Sequence, residues 1–263
     1  MKIGILDSVL GGKEKPIIWE ALYQIAGELG FQGLELGVKA SYEQTQLWKK
    51  GGRQRLLKVS RKNGVLTSSI CLHSYWLYSF ASPDKKIRIR AQTIAKEAAL
   101  AAAEMQAKNI LVPLTCPEGV KDTVARKRWR EGIASCAVAA ESQGVFFCLE
   151  NVGQSFARQP QDIIDIVDAI NSPAVKVYYD PGNAVIGGLD PLKGISLLGR
   201  RIRQIHVKEH QGTYLGDGIV PWPKIIEHLQ EIDYDGWLVL ETSCTEDPRR
   251  AAKKNLERLK KII

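Results

Sequence analysis

The run Phe146-Phe147-Cys148-Leu149-Glu150-Asn151 is almost entirely apolar until it ends in an acid. It follows Gln143-Gly144 and shows no alternation of apolar and polar residues. A strand with one solvated face alternates, so an unbroken run predicts a strand inside a sheet that is covered on both faces. Glu150 therefore stands at the carboxyl end of a buried strand.

Three later runs repeat this arrangement, at residues 175–180, 203–208 and 237–241. Each places one metal-binding side chain at or near its carboxyl end, namely Asp180, His206 and Glu241. From Glu150 onward, each interval between these side chains has about the length of one strand, loop, helix and loop. The sequence thus predicts four consecutive βα units.

The preceding part of the chain has the same alternation. Strands are predicted at residues 2–6, 33–36, 65–72 and 109–113, and helices at residues 17–29, 42–62, 84–106 and 123–142. Pro16 suits the first turn of the first helix, and Gly30 suits the position after its end. Later helices are expected to begin near four prolines, Pro160, Pro191, Pro223 and Pro248.

Eight strands that alternate with eight helices favour a closed parallel barrel over a doubly wound open sheet. No glycine-rich dinucleotide fingerprint follows the first strand, and no linker interrupts the units. The chain has 263 residues, which fits one such barrel. We therefore predict an α/β protein with a single (β/α)8 TIM barrel domain over residues 1–263.

Composition excludes several classes of protein. No run approaches the roughly 18 apolar residues of a spanning helix, and the first residues lack a signal-peptide core, so a cytoplasmic protein without a membrane partner is expected. The five cysteines include no C-x-x-C pair, so reduced thiols are expected. The net charge of +8 is concentrated in predicted helices without interleaved aromatic residues, so we interpret it as solvated surface and expect no nucleic-acid partner.

The four acidic and histidine strand ends form the candidate site. In a parallel barrel all carboxyl ends of strands lie on one face, where active sites are found. If Glu150, Asp180, His206 and Glu241 point inward, they converge on one point, with Lys208 one step above. Three carboxylates and one imidazole suit one divalent ion, with Mn²⁺ expected first and Mg²⁺, Co²⁺ or Zn²⁺ as alternatives.

Each of these residues also has an ordinary explanation. A lone glutamate at a strand end is commonly a salt-bridge partner or a helix cap, and Asp180-Pro181-Gly182 is common turn chemistry. His206 alone fits a core histidine. Four such residues in register on four successive strands favour a joint metal site.

These strand ends resemble those of the xylose isomerase-like TIM barrel superfamily, which includes the sugar phosphate isomerase/epimerase family. The similar segments are Leu149-Glu150-Asn151, Tyr179-Asp180-Pro181-Gly182-Asn183, Ile205-His206-Val207-Lys208, Leu240-Glu241, Gly33-Leu34-Glu35-Leu36 and the stretch 215–222. Together they span nearly the whole chain.

The resemblance implies an activity and roles for the strand-end residues. Glu150 and Glu241 would bind the metal and move protons, while Asp180 and His206 complete its coordination. The implied reaction is isomerisation or epimerisation of a sugar or sugar phosphate through a metal-bound enediolate. Two carboxylates on opposite sides of the substrate favour a ketose 3-epimerase active in carbohydrate metabolism.

Other residues near the predicted mouth are candidates for substrate binding: His73, Asn183, Lys208, Glu35 and Trp222. Lys208 would neutralise an enediolate oxygen or an anionic substrate group, or else form a salt bridge. Trp76 and Tyr78 are candidates for an apolar wall, and His210 and His228 are assigned to the surface or to packing.

The resemblance weakens after strand three. Sugar-phosphate 3-epimerases of the family tend to carry a His-Arg pair there, whereas this chain has His73-Ser74, which leaves the substrate open. A metal-dependent dehydratase of a cyclic polyol ketone is the alternative, because it needs the same base and metal. A non-catalytic sugar-binding barrel is a third interpretation. A three-metal endonuclease is disfavoured because the chain has only 4 histidines. Barrels of this kind often form homo-oligomers, but no segment specifies one.

Overall fold

A computed structural model describes residues 1–11, 18–153, 156–212, 214–242 and 247–263. Eight parallel strands close into a barrel in chain order. They are β1 (Lys2–Leu6), β2 (Gly33–Gly37), β3 (Leu66–Cys71), β4 (Asn109–Pro113), β5 (Phe146–Glu150), β6 (Val175–Tyr179), β7 (Ile202–Val207) and β8 (Trp237–Leu240). The predicted TIM barrel is confirmed.

Helices connect the strands and cover the barrel. They are α1 (Asp7–Leu10), α2 (Trp19–Leu29), α3 (Lys50–Asn63), α4 (Lys85–Glu104), α5 (Asp122–Gln143), α6 (Pro160–Ile170), α7 (Pro181–Ile186), α8 (Pro191–Leu198), α9 (Trp222–Glu231) and α10 (Pro248–Lys260). Proline occupies a first-turn position of α6, α8, α9 and α10, as predicted. α2, α3 and α5 each end at a glycine with positive φ, the conformation that glycine adopts most easily.

Two segments differ from the sequence-based prediction. The helix predicted at residues 42–62 starts only at Lys50, after two 3₁₀ turns, Tyr42–Gln44 and Gln46–Trp48. Gly52 explains the sharp turn, because a Cβ there would lie 2.1 Å from the carbonyl oxygen of Gln46. The second difference is α7, a short helix that was not predicted from the sequence and that begins directly after Asp180. Pro16 lies outside the described residues.

Strand register brings the predicted site together. Glu150 is level with Pro113 of β4 on one side and with Tyr178 of β6 on the other, and His206 is level with Val239 of β8. The carboxyl ends of β5 to β8 therefore lie side by side on one rim.

Among the described residues, no helix has both the length and the apolar character needed to cross a membrane. Cys71, Cys116, Cys136 and Cys148 are free thiols, and Cys244 is outside the described residues.

Candidate active site

The four predicted ligands converge at the carboxyl ends of β5 to β8. One ligand atom from each of Glu150, Asp180, His206 and Glu241 lies within 4.8 Å of the other three. His206 Nδ1 is 2.9 Å from Glu150 Oε1, 3.2 Å from Glu241 Oε2 and 3.9 Å from Asp180 Oδ2. The strand-end pattern in the sequence therefore corresponds to one cluster in space.

Burial and mutual charge shift the titration of this cluster. Burial raises the pKa of Glu150 to about 7, against the opposing effect of His206. Burial also raises the pKa of Asp180, while Lys208 opposes that rise. For Glu241 burial acts in the same direction, but the charges of His206 and Lys208 outweigh it and lower the pKa. Burial would lower the pKa of His206, yet Glu241 and Glu35 hold it well above its usual value.

One oxygen in the cluster lacks a partner of good geometry. Asp180 Oδ1 accepts a hydrogen bond from the backbone amide of Asn183 at 2.8 Å. Asp180 Oδ2 is buried and accepts no hydrogen bond from the described residues, although Lys208 Nζ approaches it to 2.7 Å as an ion pair. A buried carboxylate oxygen needs a charged or hydrogen-bonding partner, and here the nearby cation is Lys208. The donor set of three carboxylates and one imidazole thus fits a divalent ion.

Lys208 is tied to the cluster. Its Nζ lies 2.9 Å from Glu241 Oε2 and 2.7 Å from Asp180 Oδ2. Of the two roles predicted for Lys208, the structure shows the salt bridge. The lysine stem passes over Gly182, where a Cβ would lie 2.6 Å from Lys208 Cγ. The indole of Trp222 donates to the Lys208 carbonyl at 3.1 Å. The position of Lys208 is therefore fixed from both sides.

A cavity of about 240 Å³ opens above the cluster. Three predicted substrate residues, His73, Asn183 and Lys208, contribute to its wall together with Glu150, His206 and Glu241. Trp76 also faces the cavity. Tyr78 instead packs edge-on against Tyr42, with ring centroids 6.3 Å apart.

Two predicted substrate residues do not line this cavity. Trp222 is buried, and its indole donates a hydrogen bond to the carbonyl of Lys208, directly after the end of β7. Glu35 is completely buried below the cluster, where its Oε1 lies 2.8 Å from His206 Nε2. The prediction placed Glu35 at the rim because it is near the end of β2. In the structure its side chain points into the barrel interior and lies one layer below the rim.

The family model described as "Xylose isomerase-like TIM barrel" matches residues 23–262. The chain belongs to this family. The match runs from α2 to the end of α10, so it includes all four cluster residues of this xylose isomerase-like barrel.

Three known proteins similar to this xylose isomerase-like barrel are relevant. A candidate L-ribulose-5-phosphate 3-epimerase, SgbU of Escherichia coli (strain K12), is 26% identical over 254 residues, which is 91% of this chain and 88% of SgbU. Inosose dehydratase of Lacticaseibacillus casei is 31% identical over 99 residues, 29% of this chain and 33% of the dehydratase. The crystal structure of D-psicose 3-epimerase from Clostridium cellulolyticum H10 with D-tagatose superposes with a TM-score of 0.84 at 21% identity, over 100% of this chain and 99% of that one.

Several residues that shape the site were not assigned a role from sequence. Asn151 links β5 to β6, because its amide donates to the Asp180 carbonyl and accepts from the Asp180 amide, both at 2.8 Å. Ser69 and Gln204 form part of a polar layer below the cluster. A signal for the last two was present, since each is a polar residue inside an otherwise buried strand of a barrel.

Proposed function

We propose that the protein is a divalent-metal-dependent sugar epimerase or isomerase, and specifically a ketose 3-epimerase. The observation that carries this proposal is the convergence of four ligand atoms within 4.8 Å beside an open cavity. The name of SgbU, which matches over most of both chains, supports the same class of reaction. The substrate would be a small sugar or sugar phosphate.

The residues proposed to hold the ion are Glu150, Asp180, His206 and Glu241. A divalent ion supplies Lewis-acid polarisation of a substrate carbonyl, which acidifies the proton on the neighbouring carbon. Mn²⁺ is the first candidate because the donor set is rich in oxygen and includes one imidazole.

Glu150 and Glu241 are the proposed acid and base. They reach the cavity from β5 and from the end of β8, so one can take the proton from C3 and the other can return a proton on the opposite face. Lys208 would then balance negative charge that develops on the substrate, and Asn183 and His73 would orient its hydroxyl groups. Cys71, Pro113 and Val152 give the wall an apolar part, which limits access of water to the reacting carbon.

A dehydratase of a cyclic polyol ketone is the second candidate. Its support is the segment that is 31% identical to inosose dehydratase. Dehydration would begin with the same proton abstraction, and the difference would be expulsion of a hydroxyl group from the neighbouring carbon. The two reactions are therefore separated by their products.

The test measures proton exchange directly. The protein is loaded with Mn²⁺ and incubated in D₂O with a panel of ketoses, ketose phosphates and inososes, and deuterium is located by NMR after removal of the metal. We expect deuterium at C3 of a ketose and a decrease of about 10²- to 10⁴-fold in Glu150→Gln. The matched control is Glu131→Gln, at an exposed salt bridge on α5.

The alternative outcomes are distinct. Deuterium at C1 or C2 would indicate an aldose-ketose isomerase, and an unsaturated product would indicate the dehydratase. No exchange in any substrate by a protein that binds Mn²⁺ would reject the enolisation mechanism. The single-domain organisation, the cytoplasmic location, the lack of a nucleic-acid partner and a homo-oligomeric state stay predictions.

A further inference from the structure

A layer of buried polar side chains crosses the barrel interior directly below the metal-ligand cluster. We call it the basal network, and its members are Glu35, Ser69, Asn109, Tyr178, Gln204 and His206. All six are buried in the structure. Hydrogen bonds between strands that are not neighbours, such as β2 with β6 and β2 with β7, make this layer a connection across the interior.

The hydrogen bonds of the basal network have one consistent direction. Asn109 Nδ2 donates to Gln204 Oε1 at 2.5 Å. Gln204 Nε2 then donates to both hydroxyl oxygens, that of Ser69 at 2.6 Å and that of Tyr178 at 3.1 Å. Because each hydroxyl already accepts a bond from Gln204, its own proton is available for Glu35.

Both hydroxyl protons converge on one oxygen of Glu35. Ser69 Oγ and Tyr178 OH donate to Glu35 Oε2, the latter at 3.0 Å. The other oxygen, Oε1, faces His206 Nε2 at 2.8 Å. An ionised carboxylate is an acceptor only, so the remaining partner of Oε1 must be an N–H group. His206 therefore donates from Nε2.

The opposite amide assignment is unfavourable. If the side-chain amides of Asn109 and Gln204 were both rotated, Gln204 Oε1 would compete with Glu35 Oε2 for the two hydroxyl protons. Glu35 Oε2 would lose at least one of its two donors wherever Gln204 Oε1 accepts a bond, although Glu35 has 0% exposure. Removing a donor from a buried carboxylate oxygen costs free energy, so the network favours the first assignment.

We infer that Glu35 is a positioning residue that sets the tautomer of His206 for metal binding. When a bound ion displaces the second imidazole proton, the proton held on Nε2 by Glu35 leaves the lone pair on Nδ1, which faces Glu150, Asp180 and Glu241. A carboxylate that orients a metal-binding imidazole from behind increases the affinity of the site. This inference rests on the proposed function, because it assumes that the cluster binds a divalent ion. It extends the site to a carboxylate that does not line the cavity.

The first experiment locates the proton. The full chain, labelled with ¹⁵N at histidine, is loaded with diamagnetic Zn²⁺, and long-range ¹H–¹⁵N correlations identify which ring nitrogen carries the proton. The chain has 4 histidines, and loss of one set of signals in His206→Asn assigns the relevant ring. We expect a proton on Nε2 of His206 and none on Nδ1. A proton on Nδ1 would overturn the inference.

The second experiment measures affinity for Mn²⁺ by calorimetry and by the loss of the free-ion EPR signal. Glu35→Gln keeps the size of the side chain but leaves only one acceptor oxygen for three donors and removes the charge. We expect the Kd for Mn²⁺ to rise about 10- to 100-fold. Glu28→Gln, at an exposed hydrogen bond on α2, is the matched control and should leave the Kd unchanged.

Tyr178→Phe provides an independent variant, because it removes one of the two hydroxyl donors to Glu35 Oε2 and should give a smaller rise in Kd. Thermal unfolding of the metal-free variants separates a loss of stability from a loss of affinity. An unchanged Kd in Glu35→Gln, or in Tyr178→Phe if the first variant does not fold, would reject the inference. A wild-type protein that binds no Mn²⁺ would instead reject the metal site of the proposed function.

Discussion

Two carboxylates at the mouth of this barrel stand in similar places and have different surroundings. Asp7 directly follows β1 and Asp180 directly follows β6, and burial raises the pKa of both. Asp7 Oδ2 accepts from the indole of Trp19 at 2.7 Å and from the backbone amide of Gly37 at 2.9 Å. Asp180 Oδ2 accepts no aligned hydrogen bond from the described part of the chain.

The difference separates a structural acid from a candidate metal ligand. Neutral donors of the protein satisfy Asp7, which joins β1 to β2 and α2. Position 37, next to Asp7, has no room for a larger residue than glycine, because a Cβ there would lie 2.8 Å from Asp7 Oδ1 and 3.0 Å from His73 Cδ2. Asp180 Oδ2 instead faces charged groups, Lys208 Nζ at 2.7 Å and His206 Nδ1 at 3.9 Å. A buried acid is thus identified as a candidate ligand by the charged groups around it rather than by its burial alone.

The same substitution at both acids tests this distinction most strongly. Asp180→Asn removes a charged candidate ligand, and we expect the Kd for Mn²⁺ to rise on the order of 10³-fold, more than for loss of an outer partner. In Asp7→Asn the amide oxygen can accept both existing hydrogen bonds, so the Kd should remain within about twofold. Calorimetric titration of both variants measures the difference. Equal losses of affinity would contradict the assignment of Asp7 to structure.

The pH dependence of stability provides a test of the charged cluster as a whole. In the metal-free protein, the raised pKa values of Glu150 and His206 mean that the folded state binds more protons than the unfolded state. The contribution of these two groups to the free energy of unfolding is therefore complete at low pH. It falls from about pH 5 as Glu150 ionises, and it falls further as His206 loses its proton. The rise in the pKa of Glu150 from 4.5 to about 7 corresponds to a decrease of about 3 kcal/mol in the free energy of unfolding once Glu150 is ionised.

Denaturant unfolding at about pH 5 and pH 8, with a chelator or with excess Mn²⁺, measures this fall. Excess Mn²⁺ should abolish this decrease in stability between about pH 5 and pH 8, because the ion binds the ionised carboxylates of the folded state. Glu150→Gln should reduce the fall in the chelated protein. A metal-free protein that is more stable at the higher pH would contradict the charge balance described for the cluster.

The β1–β3 side of the mouth should affect substrate binding more weakly. Trp76 faces the cavity but is 66% exposed, so Trp76→Ala should change stability by no more than about 0.5 kcal/mol. Loss of its expected contact with the sugar should raise KM about 3- to 10-fold at nearly constant kcat. This pattern is expected for a contact that is equally strong in the ground state and in the transition state. Leu77→Ala, a neighbouring exposed residue, is the control in the same kinetic assay. A decrease in kcat alone would place Trp76 in the chemistry.

Sequence by itself determined the barrel and the four residues of the candidate metal site. Strand ends after unbroken apolar runs, repeated at regular intervals, are local features, and the geometry of parallel barrels brings all carboxyl ends to one face. The assignments of Glu150, Asp180, His206 and Glu241 to one cluster followed from this regularity alone. Proline and glycine likewise marked most helix ends correctly, because their effect on φ is local.

Tertiary structure decided which partner each polar group has. Glu35 and His206 are separated by 171 residues, yet they meet because closure of the barrel opposes β2 and β7 across the interior. Trp222 was predicted at the cavity wall but is buried with its indole bonded to the Lys208 carbonyl, and Lys208 pairs with two cluster acids. Periodicity in a sequence gives the face on which a side chain lies, whereas its contacts depend on strand register and closure. Those are properties of the assembled barrel.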